Sequence, residues 1–209
     1  DCQGHSINYS QSKAGYAIND SGGYYNITIR NCVIVQGGDY DYAYGMYFAG
    51  ASNTSILGNS VSSGYGSASN GCYGIYLYNS SYGLIAGNSV SPHGYYYVYG
   101  LYLDSYSADN VLKGNTVDLR GFGGWSADGI YISSSPRNNI SDNLIYSSYY
   151  FNVGSHGLEL FSSDDCRAVN NTLEAGGYNN NAINLFNSDR SVLINNTVNA
   201  QNSEASLYA

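Results

Sequence analysis

One short pattern of apolar and polar residues recurs along nearly the whole chain. A small residue, usually Gly, is followed at the first and third positions by apolar residues, as in 74–77 (GIYL) and 129–132 (GIYI). Each copy then reaches an Asn that has an apolar residue two positions after it. These Asn residues lie 25 to 29 positions apart, at Asn31, Asn59, Asn88, Asn115, Asn143, Asn171 and Asn196. Because alternate residues of a strand share a face, the pattern predicts short β-strands and no long helix.

Three short strands in each copy predict an all-β solenoid of about seven coils. Coils of a solenoid stack about 4.8 Å apart, so equivalent residues form ladders along its axis. We therefore predict a ladder of the seven Asn side chains. A β-sandwich has no fixed Asn position, and propeller blades are longer, at about 40–50 residues. The chain reads as one domain, with a partial first coil at 1–14, seven repeats at 15–200 and a tail at 201–209.

Three segments show the repeat most clearly: GIYLYNSSYGLIAGNSV (74–90), GLYLDSYSADNVLKGNTV (100–117) and AINLFNSDRSVLINNTV (182–198). They resemble the right-handed parallel β-helix repeats of NosD-like and pectate-lyase-like proteins. The resemblance implies a right-handed parallel β-helix. It implies several functions, because the superfamily includes polysaccharide lyases, glycosidases, carbohydrate-binding surface proteins, adhesins and archaeal surface-layer components.

Charge and composition exclude some classes of function. The formal net charge is −8 and the chain has only seven Lys and Arg residues, too few for a nucleic-acid-binding face. No apolar run approaches the roughly 18 residues of a membrane-spanning helix. The chain opens at Asp1 without a secretion signal, so we interpret it as a processed product or as a piece lacking its leader.

Glycosylation sequons, together with the acidic net charge, the scarcity of Lys and the many Tyr residues, favour an extracellular or cell-surface location. The four Cys residues permit disulfides without requiring them. Cys2 and Cys32 both follow a predicted ladder position on adjacent coils, so we predict a disulfide between them. Cys72 and Cys166 lie on distant coils and are expected to be free thiols or to form bridges between subunits. Candidate glycosylation sites are Asn8, Asn19, Asn26, Asn53, Asn79, Asn139, Asn170 and Asn195.

Two further sets of residues recur on the predicted surface. Six positions before the last four Asn residues, the charge alternates in sign, which predicts a charge ladder of Asp109, Arg137, Asp165 and Arg190. Aromatic loops after the third strand of each copy predict a contact edge. Its residues are Tyr95, Tyr96, Tyr97, Phe122, Trp125, Tyr149, Tyr150 and Phe151. Saccharide stacking and lateral protein packing fit this edge equally well.

A catalytic site is hard to find in the sequence. The best group of carboxylates is Asp164 and Asp165 with Asp189 one coil above them. His156-Gly157 is similar to the His-Gly of polygalacturonases, but the order and surroundings of that family's motif are missing. The three His residues have no metal-ligand spacing, and no cofactor motif occurs. We therefore predict no catalytic residue, no metal, no cofactor and no enzyme activity.

The main functional prediction is a structural protein that associates with itself. Residues 1–14 contain no helical apolar stripe that would cap the solenoid, and the tail is short, so both ends are expected to be open. Open ends allow head-to-tail growth, which predicts the subunit of a filament, sheath or surface layer. The alternative is a carbohydrate-binding or carbohydrate-cleaving β-helix domain of a larger secreted protein. The partners are then further copies of the chain and, in the alternative, glycans.

Overall fold

A computed structural model describes residues 1–9, 14–37, 42–64, 71–120, 126–147, 154–176, 181–201 and 207–208. The described chain is an all-β parallel solenoid of about six complete turns, close to the seven coils predicted. Each turn contributes one strand to each of three parallel sheets, here named A, B and C. None of the described residues forms a helix long and apolar enough to cross a membrane.

The chain visits the sheets in the order B, C, A. Sheet A contains β1 (Ser6–Tyr9), β4 (Val33–Gln36), β7 (Ser60–Ser63), β10 (Ser89–Pro92), β13 (Thr116–Asp118), β16 (Leu144–Tyr146), β19 (Thr172–Gly176) and β22 (Thr197–Gln201). Sheet B contains β2 (Gly15–Asp20), β5 (Ala43–Ala49), β8 (Cys72–Tyr78), β11 (Tyr97–Asp104), β14 (Ser126–Ser133), β17 (Leu158–Phe161), β20 (Ile183–Phe186) and β23 (Leu207–Tyr208). Sheet C contains β3 (Thr28–Arg30), β6 (Ser55–Leu57), β9 (Leu84–Ala86), β12 (Val111–Lys113), β15 (Asn139–Ser141), β18 (Arg167–Val169) and β21 (Val192–Ile194).

The interior is filled by apolar side chains that repeat from coil to coil. Sheet B supplies two large ones per strand, and β5, β8, β11 and β14 add a third apolar side chain before the Gly, at Ala43, Cys72, Val98 and Ala127. Sheets A and C supply one large side chain per strand, as the alternation along a short strand requires. In the central coils these side chains are no more than 1% exposed. Burying each large one stabilises the fold by about 1.5–3 kcal/mol. They are Ile34, Val61, Val90, Val117, Ile145 and Leu173 in sheet A, Met46, Phe48, Ile75, Leu77, Leu101, Leu103, Ile130, Ile132, Leu158 and Leu160 in sheet B, and Ile56, Ile85, Leu112, Ile140 and Ala168 in sheet C.

The repeated Gly of sheet B sits where sheets A and B approach each other closely. A Cβ on Gly100 would run into Val117 Cγ1 of sheet A and the carbonyl oxygen of Gly129 on the next coil. The same conflict recurs along the column, so the central coils need Gly here for space. The members of this Gly column are Ala17, Gly45, Gly74, Gly100, Gly129, Gly157 and Ala182.

The Asn side chains form a continuous ladder inside the turn between sheets C and A. Asn115 is 1% exposed. The side-chain carbonyl of Asn143 accepts both the Asn115 backbone N–H, at 2.9 Å, and its Nδ2–H, at 3.0 Å. Asn115 Nδ2 also donates to the Ile85 carbonyl at 2.9 Å. The same bonds join Asn59, Asn88, Asn115, Asn143, Asn171 and Asn196 in sequence.

The first coil departs from the predicted alignment. Asn31 is exposed with φ 55°, and Cys32 takes its place by donating its N–H to Asn59 Oδ1 at 3.0 Å. Including Asn31 in the ladder was therefore wrong. It belongs to the left-handed turn position just before the ladder, which Asn tolerates as Gly does. The equivalent residues are Gly58, Gly87, Gly114, Asp142, Asn170 and Asn195.

The same shift corrects two other alignments of the first copy. Ile34 pairs with Val61 and faces the core, whereas Val33 is 37% exposed. Gly15 lies opposite Ala43, so Ala17 occupies the position that was expected for Gly15. The first repeat is thus displaced by one or two residues relative to the others, because its strands follow the core pattern and not the first Gly and Asn.

The structure joins Cys2 and Cys32 by a disulfide, with their Cα atoms 4.8 Å apart. The Cys2 N–H also donates to the Arg30 carbonyl at 3.1 Å. The bridge holds the segment before β1 on the turn that precedes β4. Cys72 and Cys166 are both buried.

We predict that Asn115→Ala lowers the free energy of unfolding by about 1–3 kcal/mol, because buried donors and acceptors on both neighbouring coils lose their partners. Asn31→Gly is the matched control. Asn31 is exposed and lies on the first coil, in the left-handed position just before the ladder, where other coils have Gly. Its replacement by Gly should therefore change the free energy of unfolding by less than about 0.5 kcal/mol. Denaturant unfolding of both variants measures the difference, and equal stability of the two would show that the ladder contributes nothing.

Candidate active site

Two rows of side chains follow the outer face of sheet B along the solenoid axis. The first row lies just before the Gly column: Tyr16, Tyr44, Tyr73, Tyr99, Asp128, His156 and Asn181. The second row lies two positions after it: Asn19, Tyr47, Tyr76, Tyr102, Tyr131, Glu159 and Asn184. The first row is aromatic through Tyr99 and polar from Asp128 onward, and the second is aromatic from Tyr47 to Tyr131 and polar from Glu159 onward.

The eight tyrosines of the two rows form a continuous aromatic surface, here named the tyrosine face. In the first row the Tyr44 and Tyr73 rings stack at 4.6 Å between centroids and 7° between planes. In the second row Tyr76 and Tyr102 stack at 4.5 Å and 12°. Tyr73 and Tyr76 join the two rows at 5.3 Å. The rings therefore hold one another in fixed positions.

Burial raises the pKa of seven of the eight phenols of the tyrosine face, from Tyr44 onward, so these phenols remain neutral. Burial raises the pKa of Tyr73 to about 12, and the neighbouring phenol Tyr42 adds to the effect. Burial and the nearby Glu159 carboxylate raise the pKa of Tyr131 to about 12 as well. Tyr76 donates its hydroxyl to Asp104 Oδ2 at 3.2 Å. The face thus offers flat rings with hydroxyl groups that can donate or accept hydrogen bonds.

A groove of about 450 Å³ runs beside the first row. It is lined by Tyr42, Gly71, Tyr73, Tyr97 and Tyr99. Tyr97 is 53% exposed, and Tyr42 is 58% exposed. The tyrosine face is therefore open to a ligand on this side.

Where the tyrosines end, Asp128, His156 and Glu159 come together in what we name the acid–base cluster. One ligand atom from each lies within 4.8 Å of the others. Asp128 Oδ1 accepts the His156 backbone N–H at 2.7 Å, and His156 Nε2 lies 4.0 Å from Glu159 Oε2. Asn184 Nδ2 donates to Glu159 Oε1 at 2.9 Å. Adjacent coils therefore place two carboxyls and an imidazole at one point.

The burial of these groups changes their proton affinities in opposite directions. Burial raises the pKa of Asp128 well above its ordinary value, and the negative charge of Glu159 raises it further. Burial also raises the pKa of Glu159. The pKa of His156 falls to about 4 because burial disfavours the charged imidazolium. The cluster therefore combines a neutral imidazole with carboxyls that hold a proton unusually strongly, as in acid–base catalysis.

The imidazole of His156 meets a nitrogen donor at each of its ring nitrogens. Its Nδ1 accepts the Asn181 backbone N–H at 3.2 Å, and its Nε2 lies 3.3 Å from Asn184 Nδ2. Asp128, His156 and Glu159 form the group of described side chains whose ligand atoms are close enough together to hold a metal ion. The ring is therefore held on the outer face by the next coil, with Nε2 beside Glu159 and Asn184.

The carboxylates singled out in the sequence lie elsewhere, in the turn between sheets B and C. Arg190 binds both oxygens of Asp165, at 2.7 and 2.8 Å, and reaches Asp164 at 3.4 Å. Asp164 in turn accepts the Asp189 backbone N–H. These groups are engaged with one another away from the tyrosine face, and nothing in their geometry suggests catalysis.

The predicted charge ladder occupies the same turn as two ion pairs that act on each other, since Arg190 and, more weakly, Arg137 both lower the pKa of Asp165. Arg137 contacts both oxygens of Asp109 at 2.8 and 2.7 Å, and Arg190 contacts Asp165. Among the described residues, no ion pair joins Arg137 to Asp165. All four residues have φ between 56° and 60°, so they share one left-handed turn position on successive coils.

The predicted contact edge is described only in part. Tyr95, Tyr96 and Tyr97 are exposed, and the rings of Tyr95 and Tyr96 meet edge to face at 4.9 Å. Phe122, Trp125, Tyr149, Tyr150 and Phe151 lie outside the described residues.

Of the glycosylation candidates, Asn139 is half-buried. The others, Asn8, Asn19, Asn26, Asn53, Asn79, Asn170 and Asn195, are exposed. Glycosylation at these sites stays a prediction.

Comparison with known proteins gives a matching family model and several solved structures with a similar fold. The family model described as "Right handed beta helix region" matches residues 2–173. Among solved structures, the chain is similar to the A-module of the Azotobacter vinelandii mannuronan C-5 epimerase AlgE4, with 18% identity and a TM-score of 0.57 over 88% of this chain and 55% of that chain. The AlgE6 A-module gives 13% identity and a TM-score of 0.51 over 88% of this chain and 55% of that one. The Dettilon tailspike protein gives 20% identity and a TM-score of 0.54 over 85% of this chain and 41% of that one.

The chain spans about half the length of these solved structures, and none of the curated proteins compared with it matches. At these identities the likeness shows the fold alone. The prediction that the chain is not an enzyme is corrected on that ground only: the fold that it shares is one that enzymes use, since two of the similar structures are epimerases. That prediction depended on linear motifs, which miss a cluster assembled from different coils.

We predict that His156 makes the fold less stable in acid. Unfolded His takes up a proton near pH 6.5 but the folded imidazole only near pH 4. The stability it contributes is therefore complete above about pH 6.5 and is lost as the pH falls toward 4, by up to about 3 kcal/mol.

Melting curves between pH 7 and 4 test this expectation. His156→Gln should lose less stability than the wild type over this range. His5→Gln, which removes an exposed imidazole, is the control and should follow the wild type. Parallel curves for His156→Gln and the wild type would contradict the assignment.

Proposed function

Because the chain belongs to the right-handed β-helix family, we propose that it is a carbohydrate-active domain that binds a glycan along the outer face of sheet B and performs acid–base chemistry on it. The observation that carries the proposal is the continuity of the tyrosine face with the acid–base cluster. The same two rows that supply stacked rings on the earlier coils supply Asp128, His156 and Glu159 on the later ones. The similar solved structures include enzymes named for an activity on mannuronan, a polysaccharide, and this supports the proposal.

The tyrosine face has the properties of a platform for sugar rings. Aromatic rings pack against the C–H faces of sugars, and their hydroxyls bond to sugar hydroxyls. Tyr47, Tyr76, Tyr102 and Tyr131 repeat at the spacing of the coils, which suits a ligand that is itself a chain of similar units. Interlocked rings lose little freedom when the ligand binds, so less of the binding energy is spent on ordering them.

The acid–base cluster assigns different roles to its members. The Glu159 side chain is 15% exposed and the His156 side chain 10%, whereas Asp128 is 2% exposed. Glu159 and His156 Nε2 are therefore the groups that reach a bound sugar. Glu159, whose pKa is raised by burial, supplies a proton or takes one up at the sugar. Asp128 acts as a positioning residue, because its carboxylate fixes the backbone N–H of His156.

Location outside the cell or at its surface is part of the proposal. The Cys2–Cys32 disulfide supports it, because disulfides persist in oxidising compartments. Association of the chain with itself into a filament, sheath or layer stays a prediction. None of the contacts among the described residues favours it over glycan binding.

We predict that Glu159→Gln reduces turnover of the substrate by about 100-fold or more, because it removes the ionisable group and keeps the shape. Asp164→Asn is the matched control: it changes a carboxylate in the turn between sheets B and C and should leave turnover unchanged. The assay incubates each variant with a panel of soluble polysaccharides and follows reducing-end release and the anomeric proton NMR signals, which detect cleavage or epimerisation. Wild-type turnover by Glu159→Gln would contradict the proposed site.

We predict that Tyr73→Leu and Tyr99→Leu each weaken glycan binding by about 10-fold, since they keep an apolar side chain but lose a stacking ring. Tyr106→Leu is the control, because Tyr106 is 74% exposed in the turn after β11, away from the tyrosine face. Titration calorimetry measures the affinities. Equal affinity for all three variants would show that the glycan does not lie on these rings.

A further inference from the structure

The charge distribution of sheet B narrows the class of glycan. Four carboxyl groups lie on this sheet or its ends: Asp20, Asp104, Asp128 and Glu159. Two of them form the acid–base cluster, where the negative charge of Glu159 already raises the pKa of Asp128. A uronate carboxylate bound here would add a third acidic group to a poorly hydrated site, where like charges repel one another strongly.

Every described cation lies away from the tyrosine face. Arg30, Lys113 and Arg167 lie on strands of sheet C. Arg120 contacts Asp118 at 2.8 Å and stacks 3.7 Å above the Tyr146 ring, both in sheet A. Arg137 and Arg190 are held by carboxylates in the turn between sheets B and C.

Seven segments outside the described residues precede strands of sheet B. Six of them, 38–41, 65–70, 121–125, 148–153, 177–180 and 202–206, contain neither Lys nor Arg, and the seventh, 10–13, contains Lys13. Lys13 is the one basic residue of the chain that lies outside the described residues. A binding surface for a polyanion typically carries Arg or Lys that pair with each carboxylate, and sheet B offers hydroxyls, rings and carboxyls in their place.

From this we infer that the glycan bound on the tyrosine face is uncharged, an inference that rests on the proposed function. Neutral sugar hydroxyls match what the face presents: phenol hydroxyls such as that of Tyr102, and acceptors such as Asp104. Uncharged sugars also avoid the repulsion that a polyuronate would meet from a chain of net charge −8. The substrate class therefore differs from mannuronan, the polyuronate in the names of the similar epimerases.

A binding panel in two charge classes tests the inference. The uncharged probes are cellohexaose, mannohexaose, xylohexaose and chitohexaose, and the charged probes are hexamers of mannuronate, guluronate and galacturonate. Titration calorimetry of the wild type and of Tyr73→Leu with each probe gives the affinities, at low salt and at about 0.5 M NaCl, where surface charges are screened.

The expected result is that an uncharged hexamer binds at least about 10-fold more tightly than any uronate hexamer. Its affinity should change less than about 2-fold with salt, and Tyr73→Leu should weaken it. Tighter binding of a uronate, weakening as salt rises, would overturn the inference and leave the proposed function standing. If no hexamer binds, or if Tyr73→Leu changes nothing, the proposed function fails and this inference fails with it.

Discussion

The stacking of one coil on the next is the constraint on which the rest of this structure depends, and the buried Asn ladder enforces it. A turn between two parallel strands leaves backbone N–H groups facing inward, where water cannot reach them. Each Asn side chain satisfies the N–H of the preceding coil and is itself bonded to the following one. If a coil slipped by one residue, the backbone N–H and the side-chain amide of each Asn would lose their hydrogen-bond partners. The ladder therefore fixes register as well as stability.

The fixed register allows side chains from different coils to form one site. Because equivalent residues superpose on neighbouring coils, the tyrosines line up into a surface, and a substitution in one coil acts directly on the coils beside it. Asp128 follows Tyr99 in the first row, and Glu159 follows Tyr131 in the second. Their carboxyls are therefore placed against rings and not in water, and the missing hydration is the main reason that their pKa values are raised.

Much of the fold could be predicted from residues that recur with a fixed period. The parts that could not be predicted are the alignment of the first coil and a ladder of serines, and each has a physical cause. The Gly column and the central Asn ladder could be predicted because each position has one role that few residue types can fill. The first coil could not be aligned in the same way. Asn suits both the ladder and the left-handed turn before it. Residue type alone therefore does not show that Asn31 takes the turn position and that Cys32 takes the ladder position. A serine ladder, from Ser80 through Ser107 and Ser135 to Ser163, was missed because Ser is common throughout the chain.

The acid–base cluster was missed for a different reason: its members are 28 and 3 residues apart and match no linear motif. The sequence contained one signal of the cluster, which is the interruption of the tyrosines that precede the Gly column. Tyr16, Tyr44, Tyr73 and Tyr99 precede the Gly column, and then Asp128 and His156 take their place. Burying a carboxyl and an imidazole in place of two stacked rings disfavours folding, since polar groups lose hydration that one or two hydrogen bonds only partly replace. Coils held by ladders on both sides can tolerate that loss, and the ordered tyrosines next to it supply the surface on which a glycan would meet those groups.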